Sequence, residues 1–228
     1  MEMAAHPALL RLIALDLDGT LLNADHRVSD ASVEALRSLS RRGVRVALCS
    51  GRSPRAMQAH AERLSLRRGL PMVCFNGAAG YLTSAETRWT EDATPLFTSP
   101  VTDATVSAVL RAAEEAELLV QYYVNRSIVV ACRNHDHRAF TQRYKELTHV
   151  DAHVYEDSYE RARAEGPPYK LLVMTHEPDG TVELMRSVVT PSEAKVIRGT
   201  PPWFVEILGP DTNKGTRTRM HTEIGGRQ

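Results

Sequence analysis

The first 80 residues alternate between short apolar segments and segments with the spacing of amphipathic helices. The apolar segments are Leu12–Leu15, Val44–Cys49 and Pro71–Phe75. They are typical of strands buried on both faces, because they are apolar without alternation. A helical pattern begins at Ser29 or Asp30, and a second one begins at Ser53-Pro54, where a capping hydroxyl precedes proline. The order strand, helix, strand, helix, strand predicts a parallel sheet with helices on its faces.

Polar residues follow each of the three predicted strands. Asp16, Ser50 and Asn76 fall at their carboxyl ends. In sheets of this kind, ligands bind beyond the carboxyl ends of the strands. One polar residue from each strand on one rim therefore predicts a single binding site there.

Two carboxylates, Asp16 and Asp18, follow the first strand directly, and Gly19 then permits a tight turn. Side chains of an extended chain alternate, so the two carboxylates are expected on one side. Charges next to a buried strand are costly unless paired, and two like charges need a cation between them or a shared proton. The alternative is a structural turn in which the carboxylates cap a helix.

The pattern changes after residue 83. Residues 83–100 are rich in Thr, Ser and Pro and predict a linker, with a short strand near Trp89. Helices are expected over 103–117, 137–147 and 181–189, and strands over 118–124, 127–132, 169–175, 194–198 and 203–208. Two of the turns, Asn125-Arg126 and Gly199–Pro202, predict hairpins. Hairpins among helices favour an α+β module with an antiparallel sheet.

The bulk properties exclude several classes of protein. The 28 Lys and Arg balance the 28 Asp and Glu, so no global field favours nucleic acid or an anionic membrane. No segment is long and apolar enough to span a bilayer, and residues 1–10 lack the pattern of a signal peptide. Three cysteines without a CxxC pair indicate neither a disulfide framework nor a zinc site. We expect a cytoplasmic protein, with the basic segment 214–227 as a solvated terminus.

The motifs resemble those of the haloacid dehalogenase superfamily of phosphohydrolases. Asp-Leu-Asp-Gly-Thr at 16–20 is similar to its first motif, and Leu-Cys-Ser-Gly-Arg at 48–52 to its second. Phe-Asn-Gly-Ala at 75–78 and the segment from Glu206-Ile207 to Asn213-Lys214-Gly215 resemble the Cof-type subfamily, which carries a large cap after the third strand. The resemblance spans residues 12 to about 215. It implies an α/β fold with a Rossmann-like core of parallel sheet, residues 1–83 and 210–228, and an inserted α+β cap, residues 84–209.

The resemblance also implies a magnesium-dependent phosphatase that hydrolyses a small phosphorylated metabolite, such as a sugar phosphate, through an aspartyl-phosphate. Asp16 is then the nucleophile, and Asp18 is first the general acid and then the base. Ser50 binds a phosphoryl oxygen, and Lys214 neutralises charge in the transition state. Mg²⁺ is expected on the Asp16 carboxylate and the Asp18 backbone carbonyl. Further phosphate contacts are expected from Gly19, Thr20, Gly51, Arg52 and Asn76.

Several of these residues have structural alternatives. Ser50 can serve only as a helix-entry residue, and Arg52 can be an exposed or interdomain cation. Asn76 can simply accept the left-handed turn that Asn-Gly favours. Lys214 would be a surface lysine in isolation, but its place after a Glu-Ile strand favours a functional role. His135-Asp136-His137 could suggest a metal site, but a polar helix start is the favoured interpretation.

The sequence departs from the family after Lys214. The family continues with a helix, a strand and a Gly-Asp-x-x-Asn-Asp loop that completes the magnesium site, whereas Glu223 is the only carboxylate after Lys214 here. We therefore expect a truncated chain with an incomplete core sheet and weakened metal binding. Even lost hydrogen bonds around metal ligands cost about 10–100-fold in affinity. Leu12–Leu15 would then be an edge strand with exposed apolar faces, which favours aggregation and weak stability.

Two rival functions stay open alongside the phosphatase. A catalytically inactive binding or regulatory product of the same fold is consistent with the missing acidic loop. A mutase or phosphotransferase on the same scaffold would transfer phosphate to an added sugar instead of water.

Overall fold

The computed structural model describes residues 10–67, 69–83, 93–125, 127–150 and 153–215. The predicted strand near Trp89 and the tail after Gly215, with Glu223, lie outside the described residues. So does Arg126 of the first predicted hairpin turn. Within the described part of the chain, no helix is both long and apolar enough to cross a bilayer.

The first sheet has five strands in the order β1-β2-β3-β4-β5. They are β1 (Leu12–Leu15), β2 (Arg45–Cys49), β3 (Leu70–Cys74), β4 (Ala79–Thr83) and β5 (Phe97–Thr98). The first three are parallel, as predicted, with Leu15 opposite Leu48 and Leu48 opposite Met72. The pairs β3–β4 and β4–β5 are antiparallel. The expectation of a purely parallel sheet is therefore corrected to a mixed one, because the chain turns back directly after β3 and pairs with it.

Two helices connect the parallel strands, α1 (Asp30–Arg41) and α2 (Pro54–Leu64). The Ser29 hydroxyl caps α1 by accepting from the amide of Ser32, and the Ser53 hydroxyl caps α2 by accepting from the amide of Ala56. Both helix starts were predictable, because such caps satisfy amide groups that the first turn leaves without partners.

Strand β1 is less buried than its sequence predicts. Leu12, Ile13 and Leu15 are half-buried, and Ala14 is exposed. Among the described residues, β1 pairs only with β2, so it forms one edge of the first sheet. The prediction of a strand buried on both faces is wrong for the described part of the chain, where β1 lies at the edge of the sheet with a neighbouring strand on one side.

The second sheet has six strands in the order β10-β11-β9-β6-β7-β8. They are β6 (Leu119–Val124), β7 (Ser127–Val130), β8 (His153–Tyr155), β9 (Lys170–Met174), β10 (Lys195–Arg198) and β11 (Phe204–Leu208). Its helices are α3 (Asp103–Glu115), α4 (His135–Thr148), α5 (Glu160–Glu165) and α6 (Pro178–Val188). The two predicted hairpins, β6–β7 and β10–β11, are confirmed. The sheet is antiparallel apart from β7–β8.

The second sheet divides its side chains between two apolar clusters, because successive residues of a strand point to opposite faces. Leu171 and Val173 pack in a cluster with residues of α3 and α6. Leu172 and Met174 belong to a cluster that includes residues of the first sheet. The second sheet therefore has one face covered by its own helices, while the other face contributes to a core shared with the first sheet.

Aromatic side chains join the two sheets. Phe75, directly after β3, stacks on Tyr169, with ring centroids 5.1 Å apart and planes at 11°. It also meets the ring of Tyr123 from β6 edge-on, at 6.0 Å. The loop that follows β3 is therefore packed against the second sheet.

Candidate active site

Asp16 directly follows β1, and Asp18 lies in the irregular helical turn Leu17–Leu21 that begins at the next residue. The amide of Leu21 donates to the carbonyl of Asp16 at 3.2 Å. Gly19 has φ +74°, a left-handed conformation that favours glycine. Leu17 between the two aspartates is fully buried, which anchors the turn in the core.

Lys214 pairs with Asp16 across 198 positions of sequence. Its Nζ donates to Oδ1 of Asp16 at 2.7 Å, and the side chains are 39% and 35% exposed. The approach of Lys214 to Asp16 depends on Gly77. This glycine has φ +106° and packs so closely on the main chain of Asn213 that a Cβ at position 77 would collide with it. The loop after β3 therefore holds the lysine segment near Asp16.

Arg52 forms a bidentate ion pair with Asp18. Its Nε donates to Oδ2 at 3.0 Å and its Nη2 to Oδ1 at 2.6 Å. Burial raises the pKa of Asp18. The hydrogen bonds and charge of Arg52, together with the charges of His26 and His60, lower this pKa by more than burial raises it. The pKa of Asp18 therefore lies below its usual value. Each of the two carboxylates therefore has a cationic side chain as partner, Lys214 for Asp16 and Arg52 for Asp18.

Ser50 is the least exposed of the predicted site residues, at 1%. Its Oγ accepts from the amide of Arg52 at 3.2 Å, and its carbonyl accepts from the amide of Asn76 at 3.0 Å. Because Ser53, not Ser50, caps α2, Ser50 is not needed as the helix-entry residue. Its hydroxyl hydrogen stays available to donate to a ligand.

Asn76 has φ +56°, which fits the left-handed turn considered for it. Its side chain also has a specific partner, because Nδ2 donates to Oε2 of Glu206 at 2.7 Å. The amide lies over Gly51, where a Cβ would approach it to 3.1 Å. The lack of a side chain at Gly51, between Ser50 and Arg52, therefore allows the Asn76 side chain to come this close.

Two residues of this region were missed as members of the site. Lys170 and Glu206 form a buried pair on the second sheet, and Lys170 Nζ also donates to the carbonyl of Gly51 at 3.3 Å. Lys170 itself could have indicated this pair from the sequence, because a charged residue at the start of an apolar strand is costly unless it has a partner. His60 on α2 was also overlooked, since a single histidine on a helix carries no pattern.

The structure also shows where the remaining residues considered from the sequence lie. Gly19 and Thr20 are exposed in the turn after β1. His135–His137 begin α4, where Asn134 caps the amide of His137, so the polar helix start is confirmed. Cys49 and Cys74 are buried and form no disulfide, as expected for core residues.

The donor chemistry of the turn suits a hard cation in part. Mg²⁺ prefers oxygen ligands and is often held by one or two carboxylates, waters and a substrate phosphate. The partly exposed Asp16 carboxylate and the main-chain carbonyl of Asp18 are oxygen donors of this kind. Within the described ranges, no group of three or more His, Cys, Asp or Glu side chains is arranged to hold a metal ion.

A cavity of about 550 Å³ lies elsewhere in the protein. It opens between α3, α5 and the start of α4, and Arg111, Glu114, Arg133 and Tyr159 are among its lining residues. None of the predicted site residues lines it, so the aspartate cluster is a separate site.

Comparison with known proteins assigns the chain to a family. A family model described as haloacid dehalogenase-like hydrolase matches residues 13–224. HMP-PP phosphatase of Cronobacter sakazakii is 36% identical over 85 residues, which cover 37% of this chain and 30% of that protein. The chain spans half or less of the length of the curated relatives it matches, 26%, 50% and 30% for three of them.

Solved structures share the fold at low identity. A protein from Thermotoga maritima superposes with a TM-score of 0.76 at 22% identity, covering 96% of this chain and 76% of that one. A sugar phosphatase of subclass IIB of the same superfamily gives a TM-score of 0.74 at 18% identity, covering 96% and 77%. Since the family match extends over most of the sequence and the α/β fold with its mixed sheet agrees with these structures, this chain belongs to the haloacid dehalogenase-like hydrolases.

Proposed function

We propose that this chain hydrolyses phosphoric monoesters of small metabolites, such as sugar phosphates, with the help of Mg²⁺. The observation that carries the proposal is the 2.7 Å contact between Lys214 Nζ and the carboxylate of Asp16. A lysine next to a carboxylate that follows a strand end offsets the repulsion between that carboxylate and an anionic phosphate. The phosphatase names of the relatives and the sugar phosphatase among similar structures support the class of substrate.

In the first half of the reaction, an Asp16 oxygen attacks phosphorus while the bond from phosphorus to the leaving oxygen breaks. Protonated Asp18 gives its proton to that oxygen, so the product leaves as an alcohol and Asp16 becomes an aspartyl-phosphate. Lys214 balances the charge on the transferring group, and Ser50 donates to one of its oxygens. The backbone of Gly19, Thr20 and Gly51 offers further donors.

In the second half, the Asp18 carboxylate takes a proton from water, whose oxygen attacks phosphorus. The bond between phosphorus and the Asp16 oxygen breaks, which releases inorganic phosphate and restores Asp16. Asp18 again holds the proton for the next cycle. The same group thus acts as acid and then as base.

Arg52 has to leave Asp18 before the first step. In the free protein its hydrogen bonds keep Asp18 ionised, whereas a general acid has to carry a proton. An entering phosphate dianion is a stronger partner for a guanidinium, because it offers bidentate acceptors and more charge. We infer that Arg52 moves from Asp18 to the phosphate, which raises the pKa of Asp18 in the complex.

Mg²⁺ would be held by the Asp16 carboxylate and the Asp18 backbone carbonyl, where it would offset the negative charge of the phosphate. Residues 84–209, which contain the second sheet, would form the cap that encloses the substrate, and residues 1–83 and 210–228 would form the core. Asn76, at the boundary of these two units, would bind phosphate directly or support the loops that do.

The test is hydrolysis of an aryl phosphate in the presence and absence of Mg²⁺. We expect magnesium-dependent turnover by the parent chain, and its loss in the Asp16→Asn variant. Asp25→Asn, an exposed carboxylate in a nearby loop, is the matched control and should keep full activity. Turnover that survives in Asp16→Asn would eliminate Asp16 as the nucleophile.

A second candidate is a binding or regulatory protein without turnover. The observation that favours it is the lack, within the described residues, of a three-ligand cluster for a metal ion. Calorimetric titration with Mg²⁺ and a phosphate analogue distinguishes the two functions. Binding of the analogue without hydrolysis of any aryl or sugar phosphate would support this candidate, and phosphate transfer to an added sugar would indicate a phosphotransferase.

A further inference from the structure

A buried ion pair lies on the face of the second sheet that is turned toward the first sheet. Lys170 of β9 and Glu206 of β11 approach to 3.1 Å, and their side chains are only 6% and 12% exposed. Lys170 Nζ also lies 4.8 Å from the centre of the Tyr123 ring. Removing two charges from water is costly, and replacing such pairs by apolar residues is often neutral or stabilising. A gain in stability is therefore a weak explanation for this pair.

Each member of the pair contacts a different loop of the first sheet. Lys170 Nζ donates to the carbonyl of Gly51, which lies between Ser50 and Arg52. Oε2 of Glu206 accepts from Nδ2 of Asn76. The pair thus bridges the two loops that follow β2 and β3.

The loop after β3 is held in an unfavourable backbone conformation. Phe75, Asn76 and Gly77 have φ values of +51°, +56° and +106°. For Phe75 this region is sterically disfavoured, and such conformations persist only where the surroundings impose them. The amides of Phe75 and Asn76 donate to the carbonyls of Arg52 and Ser50, both at 3.0 Å. The two loops are therefore connected to each other as well as to the ion pair.

The same loop sets the place of Lys214. Gly77 packs against the main chain of Asn213, the residue directly before the lysine. A shift of Asn76 away from Glu206 would therefore be passed through Gly77 to the segment that brings Lys214 to Asp16.

We propose that Lys170 and Glu206 are positioning residues, which hold these two loops so that Ser50, Arg52 and Lys214 face Asp16 and Asp18. They act through Gly51 and Asn76 and not on the substrate. The inference rests on the proposed function for its effect on turnover. Its effect on the loops can be measured without turnover.

The test replaces both charged side chains by apolar side chains of similar volume. In Lys170→Met/Glu206→Met, no buried charge is left without a partner, so the variant should fold with a thermal midpoint within a few degrees of the parent. We expect kcat for an aryl phosphate to fall by about 10–100-fold with KM changed less than about 3-fold, because misplaced groups slow the reaction step. Hydrogen exchange at the amides of Phe75 and Asn76 should become at least about 10-fold faster.

Two further variants separate positioning from general stability. Lys170→Met/Glu206→Gln is also uncharged but keeps an oxygen that accepts from Asn76, so it should recover part of the lost kcat and slow the exchange. Arg198→Met/Asp179→Met removes an exposed ion pair between β10 and α6, 2.5 Å in length, and should change neither kcat nor the exchange of Phe75 and Asn76.

Three results would overturn the proposal. The first is a doubly apolar variant that folds and keeps both kcat and the slow exchange. The second is a variant that fails to fold, since the pair would then be primarily structural. The third is a Gln variant no better than the Met variant. If the parent chain itself shows no turnover, the proposed function fails alone, while the exchange rates still decide whether the pair holds the loops.

Discussion

Arg52 holds Asp18 by two hydrogen bonds, 2.6 and 3.0 Å in length, between residues 34 positions apart. The arginine belongs to the loop after β2 and the aspartate to the turn after β1. The pair therefore connects the first two strand ends and sets the charge state of the carboxylate that we propose as acid and base.

Replacing Arg52 by Met should raise the pKa of Asp18. Burial, which raises this pKa, remains, whereas the hydrogen bonds and the charge that lower it are lost. A carbon NMR titration of the Asp18 carboxyl measures the change. Arg41→Met, which removes an arginine from an exposed pair with Glu34, is the control and should leave the Asp18 titration unchanged.

The same pair makes stability depend on acid pH. Because the folded-state pKa of Asp18 is lowered, its contribution is present above the unfolded-state value near 3.8 and is lost as the pH falls through the folded-state pKa. Urea unfolding should show Arg52→Met to be less stable than the parent at pH 7, with the difference disappearing in strong acid. An equal difference at both pH values would contradict this linkage.

His60 should weaken the fold as the pH falls from 7 to 5. Burial and, secondly, the nearby charge of Arg52 lower its pKa in the folded state, against the opposing charge of Asp18. The unfolded chain then binds the proton more readily, so stability increases with pH in this window. His60→Gln should reduce this increase in urea unfolding, whereas the exposed His135→Gln should not.

Loss of the Lys214 ammonium should strongly reduce turnover. We expect Lys214→Met to lower kcat by about 10²–10³-fold, the usual effect of removing one group that stabilises the transition state. Stability should change little, because the pair with Asp16 is partly exposed. Lys145→Met, on α4, is the control for a lost lysine, and activity in Lys214→Met equal to this control would argue against the assigned role.

A methyl group at Gly77 should both destabilise the fold and displace Lys214. The new Cβ meets the main chain of Asn213, and φ +106° is strained for any L side chain. We expect Gly77→Ala to lower the unfolding free energy by more than about 1 kcal/mol in urea. Gly180→Ala in α6 meets no atom within 4 Å and should instead raise it by up to about 1 kcal/mol. An unchanged unfolding free energy in Gly77→Ala would mean that the loop adapts to the methyl group.

The three parallel strands of the first sheet and both of its helices were predicted, whereas β4 and β5 were not, and in the second sheet only β8 and α5 were missed. Ser29 and Ser53 mark α1 and α2 through local capping, which depends on a few neighbouring residues. Strand β8, with three residues, and helix α5, with six, were missed because segments so short carry too few positions for a periodic pattern. The return of β4 against β3 was also missed, since pairing direction depends on the turn and not on the strand.

The sequence by itself determined the strand end with Asp16 and Asp18, the parallel order of the first three strands and the family. These depend on patterns within short windows, where propensity and burial act directly. Only the tertiary structure decided which charges meet. Lys214 reaches Asp16 across 198 positions, and Glu206 reaches Asn76 across 130. Contacts over such separations depend on how two sheets pack, because no local preference relates residues so far apart in the chain.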